Sequence, residues 1–381
     1  MTITRRKLLA VIGGGTILAA GAGIGAVATR SPRTATLPWA AAGAETEPRR
    51  RALSFALLAP NPHNRQPWLV DLSRDGEVTL FADLDRLLPH TDPVNRQIAV
   101  GLGGFLELMR MAAAETGHRV AVTPFPEGED AAGLDARPVA RAVFAADPAV
   151  PRDPLFAQVM ARRSTKEPYD TSRPVPPQAL APVAAAATAT RYGQTVDTAE
   201  IAALRDLTRE ALEIELATPR TYRESVDLFR IGAREVDANP DGIDFTGPMF
   251  EALGSFGLFS REAALDRQGS AFKAGVDAVM ANATTAMGFV WLTTSGNTRS
   301  EQLAAGPDWL RGNLALTAAG IATQPMSQAL QEFPEMAGPY AQAHRMLAPE
   351  GGVVQMLGRV GYGPRVGPSP RWPLETRLLN A

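Results

Sequence analysis

The chain is 381 residues long, is 45% hydrophobic, carries a formal net charge of −2 and contains no cysteine. This length provides enough core for two lobes, and the near-neutral charge gives no indication of a nucleic-acid partner. The lack of thiols excludes disulfides, iron–sulfur clusters and cysteine-bound zinc or haem, and four scattered histidines predict no metal site.

The N-terminus has the pattern of an export signal. Residues 4–9 read Thr-Arg-Arg-Lys-Leu-Leu, which is typical of a twin-arginine signal, and the apolar residues 8–28 end in the small-x-small string Ala-Val-Ala. We therefore predict that residues 1–28 are a signal segment, recognised by the twin-arginine translocation machinery, and that the folded protein is exported to the periplasm or another extracytoplasmic space. The apolar stretch is about long enough to span a bilayer, so an uncleaved membrane anchor is the alternative.

Hydrophobic periodicity and turn residues divide the remainder into a linker and two lobes. The predicted linker is 29–46, lobe one is 47–150 and lobe two is 151–381. In lobe one, Asp92 followed by Pro93 predicts the start of a long helix. The helices predicted for lobe one cover residues 48–58 and 92–116, and its strands cover residues 68–72, 78–82, 118–123 and 138–144.

Lobe two repeats this mixture of helices and strands. Its predicted helices cover residues 155–163, 176–188, 198–216, 272–283 and 299–319, its predicted strands cover residues 287–293 and 353–362, and residues 321–325 form a short apolar stretch. Residues 239–259 are rich in Pro, Gly and Phe and interrupt the periodic pattern. This stretch is either a surface insertion or, within residues 239–268, a lid over a site.

Two short strings suggest a ligand. Residues 162–166 read Arg-Arg-Ser-Thr-Lys, and so many cations beside a hydroxyl suit a phosphate. Residues 59–68 read Ala-Pro-Asn-Pro-His-Asn-Arg-Gln-Pro-Trp, in which the prolines fix a turn and the side-chain amides can both donate and accept hydrogen bonds. The alternatives are a solvated basic helix end for the first string and a plain turn with Trp68 in the core for the second.

With these strings the chain resembles the nitroreductase superfamily and, within it, the fused two-lobed Acg-type FMN-binding group, over about residues 47–381. In ordinary nitroreductases each subunit of a homodimer carries an Arg-x-Ser-x-Lys/Arg string, and an Asn-x-Gln-Pro-Trp loop reaches across from the partner subunit. Here lobe one carries the loop without the string, and lobe two carries the string without the loop. The resemblance implies an α+β fold in which two lobes with antiparallel-rich sheets and flanking helices form an intramolecular pseudo-dimer.

The same resemblance implies one FMN per chain, built from both lobes. It assigns the phosphate to Arg162, Ser164, Lys166 and Arg371, with Ser369 standing where the family usually has a lysine. The loop contributes Asn61, Pro62, Asn64 and Gln66.

A further set is implied for the flavin ring and for lobe one. Pro325, Met326 and Ser327 match a segment whose backbone N–H groups face the flavin, although Met326 also suits a core position. Arg96 matches an arginine common in the Acg-type group, and an ion pair with Asp92 is an equally good reading.

The function expected from these patterns is an exported flavoprotein, an oxidoreductase that passes electrons through FMN to a small-molecule acceptor of the quinone or nitro type. No catalytic side-chain acid or base is predicted. Storage of FMN without turnover is the alternative, and a binding protein with a decayed flavin site is a third. Fusion of two lobes already supplies the interface that homodimers need, so a monomer is compatible with this reading.

Overall fold

The computed structural model describes residues 30–380, so the predicted signal segment and membrane anchor of residues 1–28 lie outside the described residues. Within residues 30–380, no helix is long and apolar enough to cross a membrane. The predicted linker contains a short helix, Leu37–Ala41, whose Trp39 is buried against the first lobe.

Twelve α-helices lie within the described residues. They are α1 (Leu37–Ala41), α2 (Pro48–Ala56), α3 (Arg96–Ala114), α4 (Ala181–Ala186), α5 (Thr198–Ala217), α6 (Pro219–Asp227), α7 (Ala233–Ala238), α8 (Pro248–Ser255), α9 (Arg261–Leu265), α10 (Ser270–Thr284), α11 (Arg299–Ala318) and α12 (Ala337–Leu347). The strands are β1 (Trp68–Asp71), β2 (Glu77–Ala82), β3 (His118–Pro124), β4 (Ala140–Ala146), β5 (Arg191–Thr195), β6 (Phe229–Ile231), β7 (Ile243–Phe245), β8 (Gly288–Thr294), β9 (Ala322–Pro325), β10 (Val353–Gly361) and β11 (Leu378–Leu379).

Each lobe contains a mainly antiparallel sheet, which confirms the α+β class. The sheet of lobe one has the order β11-β1-β2-β4-β3, and the sheet of lobe two has the order β5-β8-β10-β9. In β2 the side chains of Val78, Leu80 and Ala82 alternate toward the core, as a half-buried strand requires. Strands β8 and β10 are buried almost throughout, because helices cover both faces of their sheet.

The C-terminal residues return to lobe one. Strand β11 pairs in parallel with β1, with Leu378 opposite Val70 and Leu379 opposite Asp71. The segment that we assigned to lobe two therefore ends as an edge strand of the other lobe. This crossing brings residues 369–372 against the loop at residues 59–68.

Helices α3 and α11 form the main contact between the lobes. They touch through glycines: a Cβ on Gly103 would lie 1.9 Å from the Leu303 carbonyl oxygen, and one on Gly306 would lie 2.2 Å from that of Val100. Only residues without a side chain permit such close backbones. The register between the lobes is therefore set at this crossing.

Three predicted helix boundaries are wrong for identifiable reasons. Helix α3 starts at Arg96 rather than at residue 92, and Asp92 accepts hydrogen bonds from the N–H groups of Gln97 and Ile98 from a position further out. The helix predicted at 155–163 is a 3-10 turn, Pro154–Gln158, and the basic string beyond it has no regular secondary structure. The helix predicted at 176–188 shortens to a 3-10 turn and α4.

Helix α4 ends early because a carboxylate of helix α11 binds the backbone that follows it. The buried carboxylate of Asp308 accepts hydrogen bonds from the N–H groups of Thr188, Ala189 and Thr190, at 2.9, 2.9 and 2.7 Å. These groups would otherwise continue the helix. A side chain 118 or more residues away therefore decides the local structure.

We expect Glu215 to make stability depend on pH. Its carboxyl is buried and accepts from Gln331 Nε2 at 2.7 Å, and burial raises its pKa to about 7 from an ordinary 4.5. An acid whose pKa is raised in the folded state stabilises the fold most below its unfolded pKa and loses that contribution as pH rises toward 7. As pH rises from 4.5 to 8, the free energy of unfolding of the unchanged protein should fall by an amount on the order of 1–3 kcal/mol through this group. Thermal unfolding of Glu215→Gln should not show that fall. Parallel pH profiles of the two proteins would contradict this.

Candidate functional site

The loop at residues 59–68 has a strained backbone. His63, Asn64 and Gln66 have φ values of 48°, 51° and 52°, a left-handed conformation that costs energy for residues other than glycine. The Asn61 side-chain oxygen accepts from the Gln66 N–H at 2.7 Å and closes the turn. Such strain persists only where surrounding contacts enforce it, and it is common at binding sites.

The three loop amides predicted to contact a ligand are engaged by the protein itself. Gln66 is fully buried, donates to the Pro240 carbonyl at 2.7 Å and accepts from the Trp372 N–H at 2.8 Å. Asn64 donates to the Pro370 carbonyl at 3.0 Å, and Asn61 donates to its neighbour Ala59. In this structure the amides of Asn61, Asn64 and Gln66 therefore position the loop against the C-terminal crossing and residues 239–242, and Pro62 begins its 3-10 turn.

Arg371 joins the C-terminal crossing to the loop. Its guanidinium is buried and donates to the Leu57 carbonyl at 2.7 Å, to Asn64 Oδ1 at 2.6 Å and to Ser369 Oγ at 2.9 Å. The hydroxyl of Ser369, which stands in place of the family's lysine, therefore contacts the arginine. Arg371 lies where the resemblance to the family requires a basic residue, beside the loop of lobe one.

Arg162 reaches the same place from lobe two. It is 4% exposed and donates from Nη2 to the Leu58 carbonyl at 3.2 Å, and Arg371 donates to the same oxygen at 3.3 Å. The other terminal nitrogen of Arg162, Nη1, is buried and has no hydrogen-bond partner among residues 30–380. Arg162 therefore contacts the residue that immediately precedes the loop, at a carbonyl that it shares with Arg371.

The electrostatics of this arginine pair favour an anion. Burial lowers the pKa of Arg162 to about 10, and burial together with the nearby Arg162 charge lowers that of Arg371 to about 9. In the described part of the chain, no carboxylate forms an ion pair with either guanidinium. Two adjacent buried cations without a counter-ion are costly unless an anionic group is bound between or beside them.

The rest of the basic string surrounds this pair. Lys166 is exposed and Ser164 is half-buried, so both are open to a ligand. Burial, followed by the charges of Lys166 and Arg65, lowers the pKa of His63 to about 4, which places the lysine beside the loop. His63 Nδ1 is buried and has no partner within the described chain. His63 has no role predicted from the sequence, although its position inside the loop motif marks it as a candidate ligand contact.

Arg359 donates hydrogen bonds to the backbone of the string, and the sequence patterns did not identify it. It is fully buried, donates to the carbonyls of Thr165 and Glu167 at 3.3 and 2.7 Å, and lies 3.8 Å over the Tyr169 ring. Unlike Arg162, it uses every nitrogen: Nε donates to Gln324 and Nη1 donates to Asn282. Sequence position alone gives no signal for this role, because Arg359 belongs to an ordinary buried strand, β10.

The segment predicted to face the flavin ring is largely structural here. Pro325 ends β9, and the Met326 N–H donates to the Leu357 carbonyl at 2.8 Å. Met326 packs in the core of lobe two, as the alternative reading proposed, and Ser327 is buried beside Met356. No contact among the described residues brings this segment to the arginine pair.

Arg96 likewise lies in a separate buried network. Its ion pair is with Glu332, at 3.3 Å, and not with Asp92 as the sequence suggested. It also donates to the carbonyls of Leu330 and Gln355, so it links the start of α3 to lobe two. Asp92 is occupied by backbone N–H groups, which explains why the arginine turns to the other carboxylate.

Similarity to known proteins covers parts of the chain. No protein-family profile matches it. Two Mycobacterium tuberculosis proteins, both named "Putative NAD(P)H nitroreductase", are 38% identical over 81 residues and 31% identical over 145 residues. These stretches are 21% and 38% of this chain and 24% and 40% of the respective relatives, so the chain spans well under half the length of either.

Two solved structures give weaker likenesses. The FMN-dependent nitroreductase NfnB from Mycobacterium smegmatis, in complex with NADPH, has a TM-score of 0.34 and 19% identity, over 58% of this chain and 96% of that one. A nitroreductase with bound FMN from Bacteroides fragilis also has a TM-score of 0.34, with 12% identity, over 58% and 95%. TM-scores at this level do not establish a shared fold. What the comparisons show is that part of this chain is similar in sequence to mycobacterial proteins named as nitroreductases.

Proposed function

We propose that this chain binds one FMN between its two lobes, which act as an intramolecular pseudo-dimer, and that it is a nitroreductase-like oxidoreductase. The observation that carries the proposal is the pair of buried guanidiniums of Arg162 and Arg371, which come from different ends of lobe two and form no ion pair with a carboxylate of the described chain. The sequence similarity to proteins named as nitroreductases supports the choice of FMN among phosphate-bearing ligands.

The residues present fit such a group. Arg162 Nη1 is a buried donor without an acceptor, and a phosphate oxygen would satisfy it with a charge-assisted hydrogen bond. Ser164 would add a hydroxyl, and Lys166 and Arg371 would add charge. Each charge-assisted bond contributes on the order of 1.5–3 kcal/mol, so this set can hold a dianion tightly.

Bound FMN would supply electron transfer, from a donor to a quinone- or nitro-type acceptor. The chain's own residues bind, orient and exclude water. The Gln66 side chain and the Asn64 carbonyl hold residues 240–242 over the loop, with the Gly242 N–H donating to that carbonyl at 3.3 Å. These contacts support the lid predicted at residues 239–268.

The segments that pack on the loop also favour a second candidate function, FMN storage without turnover. Residues 239–242 and 369–372 both close on the loop, which restricts entry of a second molecule. The two candidate functions differ in which electron donors reduce the bound FMN. A storage protein is reduced by dithionite but not by a physiological donor at a useful rate.

We expect the purified protein to be yellow and to release one FMN per chain on denaturation. Anaerobic spectra with NADH, NADPH and dithionite should show reduction, followed by reoxidation on addition of a quinone. Two flavins per chain would contradict the composite site, and colourless protein that takes up no FMN would contradict the proposal. Reduction by dithionite alone would favour storage or a donor other than NADH and NADPH.

We further propose that the protein is exported by the twin-arginine route, because residues 4–9 match that signal. Cell fractionation of the unchanged protein and of the pair Arg5→Lys and Arg6→Lys tests this. Equal retention of both in the cytoplasm would refute it, and a membrane-bound pool of the unchanged protein would indicate the anchor.

A further inference from the structure

A segment near the N-terminus is fastened over the arginine pair. The Asp237 carboxylate, at the end of α7, accepts from the N–H groups of Arg33, Thr34 and Ala35 at 2.8–2.9 Å and from the Thr34 hydroxyl at 3.0 Å. These bonds join positions more than 200 residues apart. Asp237 therefore acts as an anchor for the backbone of residues 33–35.

Beyond this anchor the segment bonds to the backbone of residues 369–371. The Ala35 carbonyl accepts from the backbone N–H of Arg371 at 2.8 Å, and the Trp39 indole N–H donates to the Ser369 carbonyl at 2.8 Å. The Trp39 ring, which is buried, has the Arg163 guanidinium 4.6 Å and the Arg371 guanidinium 5.7 Å from its centroid. The Trp39 ring thus lies near both a string residue and the C-terminal arginine.

We infer that Thr34–Trp39, which we call the clasp, is part of the mononucleotide phosphate site, where Trp39 positions Arg163 and Arg371 and the segment closes the site to solvent. This inference rests on the proposed FMN function. Like charges repel, so Arg162, Arg163 and Arg371 would separate toward water without restraint. The electron-rich indole face offsets that repulsion without neutralising the arginines, and the charges remain available to an anion.

If the clasp has this role, it should affect two measurable quantities, the preference for FMN over riboflavin and the rate of FMN dissociation. Arginines held in place lose little conformational freedom when a phosphate binds, so the clasp should strengthen binding of FMN and not of riboflavin, which lacks the phosphate. A closed segment must also open before the phosphate leaves, so FMN should dissociate slowly. A purely structural role of the clasp would change the melting temperature but not the preference for FMN over riboflavin.

The test uses the full chain with Asp237→Ala, which releases the anchor, and Trp39→Phe, which keeps an aromatic ring and loses the indole N–H. For both variants we expect the FMN dissociation constant and dissociation rate to rise by about fivefold or more, with riboflavin affinity within twofold of the unchanged protein. Equilibrium fluorescence titration measures the affinities, and release into an excess of a flavin-binding competitor measures the rate.

Matched controls are available in lobe two. Asp197→Ala removes a carboxylate that accepts from two backbone N–H groups at the start of α5, and Trp291→Phe removes an indole N–H bonded to the Leu347 carbonyl at 3.0 Å. Both should leave the preference for FMN unchanged. Unchanged FMN binding in the clasp variants, or an equal loss for FMN and riboflavin, would overturn the inference alone. Failure of the unchanged protein to bind FMN would instead overturn the proposed function with it.

Discussion

Replacing Arg162 by methionine should weaken FMN binding by about tenfold to a hundredfold and at the same time leave the flavin-free protein as stable or more stable. The loss follows from removing a charge-assisted donor to the phosphate. The gain follows because Arg162 is a buried cation without a counter-ion, and apolar replacements of such groups are often neutral or stabilising, by up to about 2–4 kcal/mol. Its one hydrogen-bond acceptor, the Leu58 carbonyl, keeps a donor in Arg371.

Arg359→Met is the matched control, because Arg359 is another fully buried arginine beside the string. Its donors are all in use, so its removal leaves the carbonyls of Thr165 and Glu167 without this donor and should destabilise the protein by about 3 kcal/mol or more. Urea unfolding of the flavin-free proteins and FMN titration distinguish the two. A large loss of stability in Arg162→Met, with FMN affinity unchanged, would assign Arg162 a structural role and remove the phosphate site.

The contrast between these arginines shows what sequence reasoning could supply. The string at residues 162–166 and the loop at residues 59–68 were recognisable because consecutive residues carry the chemistry, and in the structure Arg162 contacts Leu58, directly before the loop. Arg359 is part of a strand with no motif. Its role depends on the irregular path of the string, which a predicted helix at 155–163 concealed.

The loop amides show a second limit. Asn64 and Gln66 have the right chemistry for a ligand, but their partners are Pro370 and Pro240, 306 and 174 residues away along the chain. A side-chain amide is satisfied by whichever group tertiary packing brings near it, and local sequence does not record that choice. The same holds for Trp39, which a Pro- and Ala-rich linker gave no reason to place beside an arginine.

The predicted helix boundaries were wrong where the backbone donates hydrogen bonds to a carboxylate from another helix or from outside the first turn. Asp308 ends α4 from another helix, and Asp92 caps α3 from outside its first turn. Propensity and periodicity located the long helices α3, α5 and α11 within a few residues, because their buried faces extend over many turns. Short helices have too few periodic hydrophobic residues to fix their ends, so side chains that bond to the backbone decide where they stop.

The crossing of α3 and α11 should be the position at which a single methyl group does the most damage. In Gly306→Ala the new Cβ would lie 2.2 Å from the Val100 carbonyl oxygen and 2.5 Å from the Gly104 nitrogen, so two helix backbones must move apart. Overpacking of this kind costs about 1–3 kcal/mol, occasionally more, and exceeds the gain of about 1 kcal/mol that alanine brings to a helix. We expect a net loss of up to about 2 kcal/mol in the free energy of unfolding measured with urea, and weaker FMN binding because the site draws on both lobes.

Gly275→Ala separates packing from helix propensity. Gly275 lies inside α10, and a Cβ there would meet no atom within 4 Å, so alanine should stabilise the protein by about 0.5–1 kcal/mol and leave FMN affinity unchanged. If Gly306→Ala behaved like Gly275→Ala, the lobes would not be in register through this crossing. A loss of stability in Gly306→Ala without any loss of FMN affinity would mean that the arginine pair and the loop keep their relative positions independently of α3 and α11, held by the C-terminal crossing alone.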